Sequence, residues 1–100
     1  MRRGEIWTVM PLNHPKPRPA VIVSVDSWNV NAPDLILVPL TTRRGPSRPP
    51  VQHPRLKSAS YAKCGAVAAI PRERLGHRIG RLGDEPMARI AAELRRVMGI

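Results

Sequence analysis

Two short apolar runs decide what this chain can become. Arg18–Asn29 reads RPAVIVSVDSWN, and Leu35–Thr42 reads LILVPLTT. Both are rich in β-branched and aliphatic residues and are strand-length, so each reads as a strand buried on at least one face. The first run opens on Arg-Pro and the second closes on Thr-Thr, which places polar side chains at the ends of two buried strands.

The rest of the chain fits a small, mainly β domain. One hundred residues make one domain, residues 1–100, with one small core. There is no Phe, one Tyr and two Trp, so that core must be aliphatic. A core this size suits a homodimer, in which each copy covers apolar area of the other. Glu5–Met10 alternates after Gly4 and reads as a first strand. Residues 10–19 carry prolines at 11, 15, 17 and 19 and form an extended loop. Strands are expected at Ala20–Val25, Leu35–Leu40, Pro50–His53, Gly65–Ile70 and His77–Leu82. A turn is expected over Ser27–Asp34, and one helical turn over Pro71–Leu75. Pro39 lacks an N–H and points to a sheet edge or a bulge.

Only the C-terminus reads as a longer helix. Asp84 is placed as its N-cap, Pro86 lies in its first turn and Gly99 stops it. Met87, Ile90, Ala91, Leu94, Val97 and Met98 recur at helical spacing and mark the face that packs on a sheet. The expected fold is therefore α+β but mainly β: a bent antiparallel sheet or partly open barrel carrying a C-terminal helix.

Charge narrows the partners. Seventeen Lys and Arg against seven Asp and Glu give a net charge of +10. Such an excess favours polyanions: RNA, DNA or an acidic protein segment. An Arg-rich composition also arises in GC-rich genomes without any such role. Arg43, Arg44, Arg48, Arg55 and Lys57 fall in one proline-rich stretch, TTRRGPSRPPVQHPRLK. It can track phosphates, or it can be a solvated surface loop. The single cysteine, Cys64, permits no intrachain disulfide and fits a reducing cytoplasm. No apolar run approaches a membrane span, and no signal peptide is expected. His14, His53 and His77 are far apart, and none has a partner at metal-ligand spacing, so no metal and no cofactor are expected. Cys64 reads as a buried small hydrophobe, and Ser24 and Ser60 lack a nucleophile elbow.

Taken in order, RGEIWTV, RPAVIVSVDSWN, ILVPLTT and SYAKCGAVAAIPRERLGHRIGRL, followed by a short helix, resemble the MazF/PemK family of toxin endoribonucleases. The resemblance spans nearly the whole chain. It implies a compact SH3-like barrel with a C-terminal helix, related to the CcdB gyrase poisons and usually dimeric. It implies metal-independent cleavage of single-stranded RNA at short sequences, leaving 2′,3′-cyclic phosphate and 5′-hydroxyl ends. It also implies an antitoxin whose acidic, disordered tail lies over the RNA site. The family's catalytic Arg begins the RP[AV] strand, here Arg18. Its catalytic Thr or Ser ends the next strand, here Thr41.

The chemistry suits those residue types. A guanidinium matches a phosphate in fork geometry, and a threonine hydroxyl can donate to the same phosphate or orient the nucleophile. Apart from the family pattern, Arg18 also reads as a solvated cation at a strand end. Lys16, Trp28, Thr42, Arg43, Arg44 and Arg48 are the expected RNA contacts, with Trp28 as the base-stacking ring. Two departures from the family pattern stand out. The segment before Arg18 is short and proline-rich where relatives often have a longer, glycine-rich loop. Gly65, Ala66 and Ala68 stand where relatives carry an acidic residue, Gln and Arg. The chain also ends RRVMGI, without the C-terminal Trp of gyrase poisons, which ranks that alternative below a non-catalytic nucleic-acid-binding module.

Overall fold

A computed structural model of the chain describes residues 1–10 and 15–100. Residues 11–14 of the proline-rich segment, His14 among them, lie outside the described residues. Seven strands are present among the described residues: β1 Glu5–Val9, β2 Arg18–Ile22, β3 Asp34–Thr41, β4 Pro50–Val51, β5 Ser60–Ala62, β6 Ala68–Pro71 and β7 Leu75–Arg81. A one-turn helix α1 covers Asp26–Asn29, and α2 covers Asp84–Met98. Every pairing is antiparallel. The order is β4-β5-β3-β2-β1-β7, and β6 pairs with β3 beside β5. The result is a curled half-barrel with a C-terminal helix against it.

β3 organises the molecule because it is apolar on both faces. Val38 and Leu40 enter a buried cluster with Ile6, Val21 and the α2 residues Met87, Ile90 and Leu94. Leu35 and Leu37 point the other way, into a second cluster with Val9, Ala20, Ile22 and Leu75. Alternation along the strand separates the two sets. By the same alternation Thr41 falls on the side of Leu35 and Leu37.

Pro39 sits at neither a sheet edge nor a bulge. It pairs with Ala20 inside the β2–β3 ladder, which shows no register shift. Its carbonyl accepts from Lys63 N–H at 2.9 Å, so its nitrogen faces the same side. On that side β6 has ended at Leu37 and β5 begins at Leu40. The missing N–H falls in this gap and costs no ladder bond.

Other boundaries differ from the sequence reading. Cys64–Ala66 is a 3-10 turn, so the expected 65–70 strand shrinks to β6. Residues 26–29 form α1 rather than an open turn. Asn29 holds it in place: almost fully buried, its Nδ2 donates to Ser24 O at 2.9 Å while its Oδ1 accepts from Ser24 Oγ. Gly83, not Asp84, is the N-cap of α2, and Asp84 and Glu85 lie in its first turn, where acids suit the helix dipole. Gly99 closes the helix with φ 72°, the left-handed conformation that glycine adopts without strain. Val97 and Met98 stay exposed. No helix among the described residues is long and apolar enough to cross a membrane.

Among the described residues Glu5 is the one buried carboxylate. Burial alone would raise its pKa, but hydrogen bonds from Trp7 Nε1 (3.0 Å) and Arg2 N–H (2.9 Å), with the N-terminal ammonium and Arg78, outweigh it. Its pKa therefore lies below the ordinary value of 4.5. A lowered carboxylate pKa adds stability above the unfolded pKa, and that stability is lost as pH falls through the folded one. Glu5→Gln should therefore be less stable than the parent at neutral pH. The gap should close as urea midpoints are measured from pH 7 down past 4.5. A gap independent of pH would mean the carboxylate charge contributes nothing.

Candidate active site

The two strand ends meet through the sheet register. Ala20 pairs with Pro39 in the β2–β3 ladder. Continuing that antiparallel register by two residues sets Arg18 opposite Thr41. Opposed residues project to the same face, and both side chains line one cleft of about 340 Å³ with Pro19, Leu40, Thr42, Arg43 and Ser60. Pro19 and the β1 pairing Val9↔Arg18 tie Arg18 to rigid backbone on the side away from Thr41. Thr41 Oγ1 accepts a hydrogen bond from Arg43 N–H at 3.2 Å. That contact uses an oxygen lone pair and leaves the hydroxyl proton available to donate.

The cleft is part of a longer groove. Pro19, Thr42 and Ser60 also line a neighbouring cleft with Arg55, Lys57, Thr8 and His77. Arg55 and Lys57 come from the basic stretch that the sequence marks as able to track phosphates, whereas Ser60 and His77 are site-lining residues that sequence reading did not assign. Their signal is absent because β5 and β7 reach the groove through pairings distant in sequence. His77 N–H donates to Thr8 Oγ1 at 3.0 Å, at an irregular stretch of the β1–β7 pairing. His53 is spent on structure: its Nδ1 accepts from Arg55 N–H at 3.1 Å, and its ring packs on Gly80 where no Cβ would fit.

The remaining expected contacts divide. Arg43 and Thr42 are exposed at the groove. Lys16 is exposed two residues before Arg18. Arg44 and Arg48 line an adjoining cleft that touches the groove at Ser60. Arg48 also closes its own loop, donating from Nη1 to Arg43 O at 3.1 Å. From α2, Arg96 bonds Ser47, which has a positive φ of 59°, and so ties this loop to the helix. Trp28 is not brought here. Its Nε1 donates to Asp34 O at 3.1 Å, at the far end of β3, roughly 20 Å from Thr41 at 3.3 Å per residue. It lines an apolar cleft with Ile36, Ala68, Ala69, Leu94 and Met98. Ala68, one of the three residues that stand where relatives carry polar side chains, thus lines that cleft rather than the Arg18–Thr41 groove. Cys64 is fully buried. Burial, and the nearby Glu93 carboxylate, push its thiol pKa up, so it is not an activated nucleophile. Among the described residues no cluster of three or more His, Cys, Asp or Glu is placed to hold a metal.

Residues 2–98 match the PemK-like, MazF-like toxins of type II toxin–antitoxin systems. The chain belongs to this family. It is a family of endoribonuclease toxins. A curated relative, the probable endoribonuclease MazF of Mycolicibacterium smegmatis, is 32% identical over 108 residues, covering 100% of this chain and 98% of that protein. Solved MazF-like structures share the fold. An endoribonuclease in complex with its cognate antitoxin, from a mycobacterial species, superposes with a TM-score of 0.87 at 22% identity, covering 100% of this chain and 96% of that one. Mycobacterium tuberculosis toxin MazF-mt6 gives 0.84 at 21% identity, covering 96% and 97%. A MazE–MazF structure from Deinococcus radiodurans gives 0.84 at 15% identity, covering 100% and 96%.

Proposed function

We propose that this MazF-like chain is a metal-independent, sequence-specific endoribonuclease that cuts single-stranded RNA in the cytoplasm. The observation that carries this reading is the register that sets Arg18 opposite Thr41 in one basic groove. In the proposed reaction a ribose 2′-hydroxyl attacks its own phosphate. The P–O5′ bond breaks, leaving a 2′,3′-cyclic phosphate and a 5′-hydroxyl. Negative charge grows on the phosphoryl oxygens and the leaving oxygen. Arg18 supplies a fixed pair of donors to that charge. Thr41 Oγ1, held by Arg43 N–H, turns its own proton toward the same phosphate. Arg43, Arg55 and Lys57 hold flanking phosphates and make binding salt-dependent.

The test is cleavage of a mixed single-stranded RNA pool by purified protein in EDTA, with new 5′-hydroxyl ends mapped. Ends at one short motif, lost in Arg18→Ala and Thr41→Ala, support the reading. RNA binding without new ends leaves a binding module. The proposed antitoxin brings an acidic, disordered tail to the same groove, where a chain of net charge +10 favours it. An acidic peptide added to the assay should suppress the ends.

The homodimer is proposed on the apolar cleft around Trp28. Ala68 and Ala69 of β6 are exposed, and among the described residues β6 pairs with no strand other than β3. None of the cleft's lining residues is charged. Two copies of a chain at +10 repel each other least where they meet without charge. Ala69→Arg should shift the protein from dimer to monomer in light scattering at micromolar concentration. An unchanged mass would place the interface elsewhere.

A further inference from the structure

The row that joins Arg18 to Thr41 continues across the sheet. Thr41 pairs directly with Tyr61 of β5. Opposed side chains share a face, with Cβ atoms about 5 Å apart. The chain's single tyrosine therefore stands beside Thr41, on the side from which Arg18 projects. Its ring is half-buried. Arg44 Nε donates to the Tyr61 hydroxyl at 2.9 Å, and the guanidinium carbon lies 6.0 Å from the ring centroid. With Nε bonded to the hydroxyl, the guanidinium lies over one side of the ring at the outer limit of cation–π distance. The ring is thus pinned at its tip by Arg44 and at its root by the β5 backbone. The cleft beside it, lined also by Arg48 and Gln52, meets the groove at Ser60.

We propose that Tyr61 is the platform on which the nucleobase next to the cleaved phosphate stacks, with Arg44 fixing the ring. The inference rests on the RNA-cleaving reading of the groove. Single-stranded RNA is recognised largely by stacking of splayed bases on aromatic side chains. The chain has three aromatic residues to offer. Trp7 packs against a buried cluster, and Trp28 stands at the other end of β3. Tyr61 alone lies one strand from Thr41.

The experiment measures binding of a single-stranded RNA oligomer by fluorescence anisotropy across a salt series, on the Arg18→Ala background so that the RNA stays whole. Adding Tyr61→Ala or Tyr61→Leu should weaken binding about ten- to a hundredfold. The slope of log Kd against log salt should not change, because no phosphate contact is removed. Tyr61→Phe and Tyr61→Trp, which keep a ring, should bind like their parent. Tyr61→Leu keeps apolar bulk on the strand, and thermal melts check that each variant folds. Binding unchanged in the Ala and Leu variants overturns the proposal. So does a Phe variant as weak as Ala, which would assign the effect to the hydroxyl, or a loss that flattens the salt slope, which would assign it to Arg44. In the Arg18-containing protein, Tyr61→Ala should raise KM and largely keep kcat. If that protein cuts no RNA while Tyr61 still governs binding, only the nuclease reading falls. If it cuts RNA and Tyr61→Ala binds normally, only the stacking proposal falls.

Discussion

Arg18→Ala should lower the rate of RNA cleavage by at least about 10²–10³, the usual loss for one donor aimed at developing charge. The loss should appear in kcat as well as in kcat/KM, because the contact strengthens as charge builds on the phosphate. Arg18→Lys keeps the charge but not the planar fork, so it should recover only part of the rate. Thr41 offers a companion test. Thr41→Ala removes the hydroxyl that Arg43 N–H holds, while Thr41→Ser keeps it and should stay close to the parent. The readout is single-turnover cleavage of one oligomer containing the mapped motif. Full activity in Arg18→Ala would remove the role given to the strand-end arginine and leave it a solvated cation.

Ile90→Ala should cost about 2–5 kcal/mol of stability, the range for deleting most of a fully buried aliphatic side chain. Ile90 is 0% exposed and sits between Met87 and Leu94 on the buried face of α2. It packs in the same cluster as Val38 and Leu40 of β3. The helix lies over a small sheet with few alternative packings, so the space left has little chance to close. Urea unfolding at fixed protein concentration measures the effect, because association would otherwise shift the midpoint. A cost below about 1 kcal/mol would mean that α2 adds little to the core.

The two strands that carry Arg18 and Thr41 were legible because both are continuous aliphatic runs, and a run of that length has few other places to go. The Arg18–Thr41 pair itself was read from the family pattern, since a strand-end arginine alone does not announce its partner. The C-terminal helix was legible from its 3.6-residue periodicity. Its apolar stripe reads one step too far, because Val97 and Met98 stay exposed, Met98 at the rim of the cleft around Trp28. Cys64–Ala66 and Asp26–Asn29 were misplaced because such short elements are set by tertiary contacts: Asn29 folds inward onto Ser24 where composition suggests an open turn. The stacking residue proposed above is the least legible. Trp28 is the larger ring and sits in a loop-like stretch, whereas Tyr61 reaches the groove only through a strand pairing that spans twenty positions of sequence. Pro39 misled for a related reason: a proline inside a strand signals an edge, unless two partner strands leave a gap at that residue.

β3 is sandwiched, paired with β2 on one side and with β6 and β5 on the other, and buried on both faces. A strand held that way opens only when the whole domain unfolds, whereas an exposed loop breathes far more often. Thr41 is the last residue of β3, and Arg43 and Arg44 stand on the loop just past it. The groove therefore straddles a border between a strand locked into the sheet and an exposed loop. On the proposed reading, the strand side holds the reacting atoms in place while the loop side adjusts to the polyanion.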